Sequence, residues 1–139
     1  MVLTFNDNEE DMFQHIMSYV KAGMKSFTLM EAPKDILSFE KLEINKSKHI
    51  VIKKNAEIEL TFIEFEILLL LAQNAGTVFS KEQIYDIVWK EPYSGDYNIV
   101  MSHIRNLREK IEDNPSKPIY IQTVWGVGYR FNKNISRGL

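Results

Sequence analysis

The protein has 139 residues, a length typical of one domain, and 45 % of them are hydrophobic while 26 % are charged. The absence of cysteine excludes disulfides, thiolate metal sites and a cysteine nucleophile. The longest apolar run, 67–72, is far shorter than the roughly 20 residues that span a bilayer. Acidic residues near the N-terminus do not fit a secretory signal, so we expect a cytoplasmic protein with no membrane contact.

Charge is distributed unevenly along the chain. The net charge of −2 and a sequence isoelectric point of about 5.9 argue against a nucleic-acid binder. By segment, however, the net charge is −4 over residues 1–43, −1 over 44–95 and +3 over 96–139, where all four arginines lie. Because arginine suits bidentate contacts with phosphate and guanine, the last segment fits a nucleic-acid face, and equally a solvated face without a partner.

The N-terminal part predicts one helix followed by short strands. Apolar residues recur at helical spacing between Phe13 and Met24, and Pro33 then marks a linker. From Leu37 to Leu60, alternating apolar and charged residues, interrupted by two turn-like segments, predict an antiparallel meander.

Three helices and a hairpin follow. Thr61 and Ser80 each stand three residues before a glutamate or glutamine, the capping-box pattern that begins a helix, and the first of these helices is predicted to reach Gly76. A third helix is predicted over 98–112, before an Asn-Pro pair. The β-branched and aromatic segments 119–125 and 129–131, separated by Gly-Val-Gly, predict a β-hairpin.

The third helix has two contrasting faces. Val100, Ile104, Leu107 and Ile111 share one face at about 100° per residue, so they are predicted to be core. The opposite face is polar and comprises Asn98, Ser102, Arg105, Asn106 and Glu109. Arginine can pair with guanine, asparagine with adenine, and serine with a base or a phosphate. This pattern favours recognition of bases over simple solvation, which more often uses Lys–Glu pairs.

Three helices followed by a β-hairpin are typical of a winged helix, whose third helix is presented to the DNA major groove. Four stretches are informative: LTFIEFEIL (60–68), VFSKEQI (78–84), VMSHIRNLR (100–108) and IQTVWGVGYRF (121–131). With these stretches the chain resembles the effector domain of OmpR/PhoB-type response regulators of bacterial two-component systems. The resemblance implies an α+β winged helix with a four-stranded N-terminal antiparallel sheet, a three-helix core containing a helix-turn-helix, and a C-terminal hairpin wing.

The resemblance also implies a domain organisation and a function. The expected parts are an N-terminal helix and linker (1–36), the winged helix (37–133) and a tail (134–139). The implied function is sequence-specific binding of double-stranded DNA by a transcription regulator, with recognition helix 98–112 in the major groove and wing 119–131 on the backbone.

Contact residues follow from the resemblance by position. The expected major-groove face comprises Asn98, Met101, Ser102, Arg105 and Asn106. His103 and Arg108 are expected to hold phosphates, and Thr123 and Tyr129 to anchor the wing to the DNA backbone. We also expect the amides of 80–82 to face a phosphate. Loop 90–97 corresponds to a loop that meets RNA polymerase in some members, and members often sit head-to-tail on direct repeats.

The chain departs from the family pattern in three ways. Trp125 stands where many members carry an arginine that enters the minor groove, so it either packs against a sugar edge or buttresses the hairpin. Asn98 and Asn106 stand where basic residues are frequent, which predicts weaker attraction to phosphate. Residues 1–36 are too few for the receiver domain of a full member, so we expect no phosphorylation switch within this chain. The N-terminal helix either packs on its own sheet or makes a dimer contact.

The sequence also bears on two other classes of function, an enzyme and a protein-interaction module. His15, His49 and His103 are far apart without metal-ligand spacing, and no helix follows the Gly-Val-Gly stretch as a dinucleotide loop requires. We therefore expect no enzyme activity, no cofactor and no metal. The alternative to DNA binding is a winged-helix interaction module that binds a regulatory protein, which the acidic isoelectric point favours and the clustered arginines oppose.

Overall fold

The computed structural model describes residues 35–91 and 96–135, with Tyr97 described by its backbone alone. In chain order the elements are strands β1 (Ile36–Phe39), β2 (Leu42–Asn45), β3 (Ile50–Lys53) and β4 (Ala56–Ile58), helices α1 (Phe62–Gln73), α2 (Lys81–Trp89) and α3 (Tyr97–Ile111), and strands β5 (Ile121–Val124) and β6 (Gly128–Phe131). This order confirms the predicted α+β winged helix. The predicted N-terminal helix lies outside the described residues.

Strands β1 to β4 form one antiparallel sheet in chain order, as the alternating pattern predicted. The register places Leu42 opposite Phe39, and Ile44 opposite Val51, so these four apolar side chains share one face. All four are buried, since successive side chains of a strand point to opposite faces and this face meets the helices. The sheet therefore contributes one apolar layer to the core.

Both predicted capping boxes are present. The Thr61 hydroxyl accepts a hydrogen bond from the Glu64 N–H at 3.2 Å, and the Glu64 carboxylate accepts one from the Thr61 N–H at 2.9 Å. Ser80 and Gln83 repeat the arrangement at 3.1 and 2.8 Å. Each box supplies acceptors to backbone N–H groups that have no acceptor within the first turn of the helix. Helices α1 and α2 therefore begin directly after Thr61 and Ser80, as the sequence predicts.

Helix α3 confirms the predicted periodicity. Its core-facing residues Val100, Ile104, Leu107 and Ile111 are at most 1 % exposed. The Asp96 carboxylate accepts a hydrogen bond from the Asn98 N–H at 3.0 Å, so the helix begins one residue before the predicted start.

The hairpin packs against the segment that joins α1 to α2. Phe79 and Tyr129 exchange backbone hydrogen bonds of 2.8 and 2.9 Å, which extends the two-stranded wing by a bridge. A Cβ on Gly128 would lie 2.0 Å from the carbonyl oxygen of Phe79, so only glycine fits there. Helix α1 ends at Gln73, before the predicted Gly76, since Gly76 adopts a φ of +91° and donates its N–H to β6.

The first sheet is joined to the end of α3 and the start of the wing by polar contacts. The Asp113 carboxylate accepts hydrogen bonds from the ammonium groups of Lys53 at 2.7 Å and Lys54 at 3.0 Å. These hydrogen bonds, together with the positive charges, lower the pKa of Asp113 to about 2. The Tyr120 hydroxyl donates to the carbonyl of Glu40 at 2.8 Å. The described helices and both sheets thus share one core.

Candidate nucleic-acid interface

The outward face of α3 holds the predicted major-groove residues, and the structure leaves them accessible. Asn98, Arg105 and Asn106 are exposed, Met101 is 42 % exposed and Ser102 is half-buried. Most of this face borders an open cleft of about 600 Å³, whose lining includes Asn98, Met101, Ser102, Arg105, Arg108 and Tyr129. Exposed hydrogen-bonding side chains on a helix that borders a cleft can reach the edges of bases.

Arg108 lies at the junction of α3 and the wing. Its Nε and Nη2 atoms both donate to the carbonyl oxygen of Ile121, at 3.2 and 2.9 Å, and Nη2 also donates to the Thr123 hydroxyl at 2.8 Å. The guanidinium carbon lies 5.5 Å from the centre of the Tyr129 ring. Burial lowers the pKa of Arg108, while the neighbouring Tyr129 and Glu112 raise it. The side chain is therefore engaged within the fold before any ligand binds.

The two predicted wing anchors are placed beside Arg108. Thr123 is half-buried, and its hydroxyl oxygen accepts from Arg108. Tyr129 is only 7 % exposed, and burial raises its pKa while Arg108 lowers it. Tyr129 borders both the cleft beside α3 and a second cleft of about 310 Å³ beneath the wing tip.

His103, the other predicted phosphate ligand, packs against α2. Its ring is centred 5.5 Å from that of Trp89, which in turn stacks on Tyr85 at 4.8 Å. The Nδ1 atom of His103 is buried and finds no hydrogen-bond partner among residues 35–91 and 96–135. A phosphate contact by His103 therefore has to be made through Nε2.

The wing tip carries two exposed apolar side chains. Trp125 is 89 % exposed and Val127 is 57 % exposed, with Gly126 between them at a φ of +79°. The interpretation of Trp125 as a buttress of the hairpin is wrong, because a buttressing ring would be covered by the strands it supports. Its indole is available to a ligand.

The N-terminus of α2 faces the second cleft, which Lys81, Glu82 and Trp125 help to line. The N–H groups of Ser80 and Gln83 are already engaged in the capping box. The amides of 80–82 were expected to face a phosphate. The Ser80 amide already donates its hydrogen bond to the Gln83 side chain.

Two buried carboxylates have partners that the sequence did not reveal. Glu112, 5 % exposed, follows α3 and accepts hydrogen bonds of 2.7 to 3.1 Å from the N–H groups of Ile119, Tyr120 and Ile121. Glu64, 2 % exposed, accepts from the ammonium group of Lys110 at 2.7 Å in addition to its capping role. Burial raises the pKa of Glu64, but the hydrogen bonds from Lys110 and from the backbone of the cap outweigh it and the net shift is downward.

Within 35–91 and 96–135, no group of three or more His, Cys, Asp or Glu side chains could hold a metal ion. Of the helices formed by these residues, none has the length and apolar character needed to cross a membrane. Residues 92–95, the middle of the predicted polymerase-contacting loop, lie outside the described residues.

Comparison with known proteins places this fold in a family. Residues 55–131 match the family described as transcriptional regulatory protein, C terminal. The chain belongs to this family. This confirms the resemblance to OmpR/PhoB-type effector domains. A regulatory relative, the uncharacterized transcriptional regulatory protein YcbL of Bacillus subtilis, is 42 % identical over 118 residues, which cover 82 % of this chain and 52 % of YcbL.

Solved structures agree with this assignment. The response regulator DrrB of Thermotoga maritima, an OmpR/PhoB homolog, is 38 % identical with a TM-score of 0.68, over 86 % of this chain and 52 % of DrrB. The DNA-binding domain of RstA from Klebsiella pneumoniae, solved in complex with the RstA box, is 29 % identical with a TM-score of 0.65, over 70 % of this chain and 96 % of that one. The chain spans about half the length of the first curated relatives it matches.

Proposed function

We propose that the protein is a sequence-specific transcription regulator that binds double-stranded DNA, with α3 in the major groove and the wing on the backbone. The observation that carries the proposal is the exposed row of Asn98, Arg105 and Asn106 on α3, with Met101 and Ser102 beside them. The row pairs arginine and amide side chains, which match guanine and adenine edges in the major groove. The RstA domain, solved with its DNA box, has the same fold.

The distribution of charge along the chain also supports α3 and the wing as the surface that faces DNA. The segment from Asp96 onward carries a net charge of +3, whereas the chain as a whole carries −2. Attraction to the phosphates depends on the charge that faces the duplex. The positive charge of this segment therefore matters more than the net charge of the whole chain. The modest size of that positive charge predicts modest non-specific affinity and a dependence on paired sites.

Within this proposal the remaining residues have supporting roles. His103 through Nε2 holds a phosphate, Thr123 and Tyr129 hold the backbone beside the wing, and the neutral ring of Trp125 packs against sugar edges. The proposed organisation is an N-terminal segment (1–36), the winged helix (37–133) and a tail (134–139). Loop 90–97 is the proposed RNA polymerase contact. Homodimerisation through the N-terminal segment, or pairing on tandem sites, supplies the second DNA contact.

The proposal is tested by selecting bound duplexes from a random pool and measuring the affinity for the selected site by fluorescence anisotropy. Arg105→Ala should lower that affinity roughly 10- to 100-fold, because it removes one base-edge contact worth about 1–3 kcal/mol. Lys46→Ala, which removes the same charge from an exposed turn of the first sheet, is the matched control and should stay within about threefold of wild type.

Salt dependence separates DNA binding from the protein-interaction alternative. With about six phosphate contacts, the affinity should fall about a thousandfold between 50 and 200 mM salt. Absence of any selected duplex, or an Arg105→Ala variant with the affinity and site preference of wild type, contradicts the proposal and favours a protein partner.

A further inference from the structure

The guanidinium of Arg108 bridges the recognition helix to the first strand of the wing. Arginine has five N–H donors, and three hydrogen bonds use the Nε and Nη2 groups on two acceptors, the Ile121 carbonyl and the Thr123 hydroxyl. The planar group also lies over the Tyr129 ring, on the second wing strand. One side chain of α3 therefore contacts both strands of the wing.

A phosphate ligand would be expected to present its donors to solvent. In Arg108 the described residues offer no acceptor to Nη1, but the other two nitrogens point into the fold, and the side chain is half-buried. Since a guanidinium is rigid, the two acceptors fix its plane, and conversely the guanidinium fixes where β5 can lie relative to α3.

A second contact holds the same strand at its beginning. The Glu112 carboxylate, which directly follows α3 and lies four residues after Arg108, accepts hydrogen bonds from the N–H groups of Ile119, Tyr120 and Ile121. Ile121 thus donates its N–H to Glu112 and accepts at its carbonyl from Arg108. The strand is held at consecutive points by two side chains of opposite charge.

We infer that Arg108 is a positioning residue, which sets the wing at a defined place relative to α3 so that both reach one duplex, and that it acts on affinity through the wing and not through a phosphate of its own. This inference rests on the proposed function, because the position of the wing affects binding only if the wing touches DNA. It replaces the phosphate role that the family resemblance implied for this residue.

Arg108→Lys is the decisive variant, since lysine keeps the charge but cannot reproduce the fork to Ile121 and Thr123. We expect Arg108→Lys and Arg108→Gln each to lower the affinity for the selected duplex about tenfold, with the salt slope of Arg108→Lys equal to that of wild type. Lys117→Arg is the control: it also exchanges one basic side chain for another, at an exposed position before the wing, and the change should stay within about threefold.

Two outcomes would overturn the inference. If Arg108→Lys binds like wild type while Arg108→Gln loses affinity and about one unit of salt slope, Arg108 is a phosphate ligand. If both folded variants bind like wild type, Arg108 serves the fold alone.

A measurement on the free protein separates this inference from the proposed function. Residual dipolar couplings of the β5 and β6 amides, referred to α3, should change in Arg108→Lys and not in Lys117→Arg. If wild type selects no duplex, the proposed function fails while changed couplings still support positioning of the wing. Unchanged couplings refute the positioning role whether or not DNA is bound.

Discussion

The base and the tip of the wing differ in how completely the rest of the molecule engages them. The base is taken as the two strands β5 and β6, and the tip as the turn 125–127 between them. At the base, Glu112 and Arg108 hold β5, and the Phe79 backbone crosses so close to Gly128, the first residue of β6, that no side chain fits. At the tip, Trp125 and Val127 are exposed, and a Cβ added to Gly126 would meet no other atom within 4 Å. The difference indicates that the base fixes the position of the wing relative to α3, whereas the tip is accessible to a ligand.

Glycine substitutions should expose this difference most strongly. Gly128→Ala should destabilise the fold by about 3 kcal/mol, because its Cβ would lie 2.0 Å from the Phe79 carbonyl oxygen and the segment or the hairpin must shift. Gly126→Ala has room and should cost about 1 kcal/mol, from the positive φ alone. Urea unfolding measures both, and equal losses would contradict the contrast between base and tip.

Removing the charge that ties the base to α3 should have the next largest effect. Glu112→Gln should lower the free energy of unfolding by about 2 kcal/mol, because an amide has one acceptor oxygen for the N–H groups that both carboxylate oxygens now bind. Glu109→Gln, the same change on the exposed face of α3, should stay within about 0.5 kcal/mol. A Glu112→Gln variant as stable as wild type would show that this carboxylate does not anchor the wing.

The tip should respond in binding and not in stability. Trp125→Ala should leave the unfolding midpoint unchanged, since the ring is 89 % exposed, yet lower the affinity for the selected duplex roughly tenfold. The salt slope should not change, because the indole is neutral. Anisotropy titrations at several salt concentrations measure both, and an unchanged affinity would remove Trp125 from the interface.

The ion pair between the first sheet and the end of α3 should give the smallest effect, and a pH-dependent one. Asp113 has a pKa lowered from 3.8 to about 2, so its contribution to stability is present above about pH 4 and is lost as the pH falls through about 2. Wild type should be slightly more stable than Asp113→Asn at neutral pH, and urea midpoints should converge on acidification. A difference that persists at the lowest pH would assign the effect to packing.

Features with local causes were predictable from the sequence. Thr61 and Ser80 predict the starts of α1 and α2, because both partners of a capping box lie within four residues of the sequence. The core face of α3 follows from spacing alone, since Val100 and its neighbours repeat with the helical period. The recognition face follows in turn as the opposite side of the same helix.

Features with distant partners were not predictable. Arg108 and Thr123 meet across 15 positions, and Lys53 and Asp113 across 60, and no pattern along the chain relates them. Periodicity places Arg108 on the flank of α3, where a polar residue can face either solvent or a neighbouring strand. Glu112 likewise reads as an ordinary charged residue after a helix.

By itself, the sequence determined the order of helices and strands, the buried face of α3 and the family, because these depend on spacing and short-range hydrogen bonds. Only the tertiary structure decided which polar side chains of the basic C-terminal segment are engaged within the fold and which remain for a ligand. Arg105 and Arg108 are indistinguishable by type and lie on the same helix, yet one is exposed and the other holds the wing. That distinction arises because β5 passes beside only one of them.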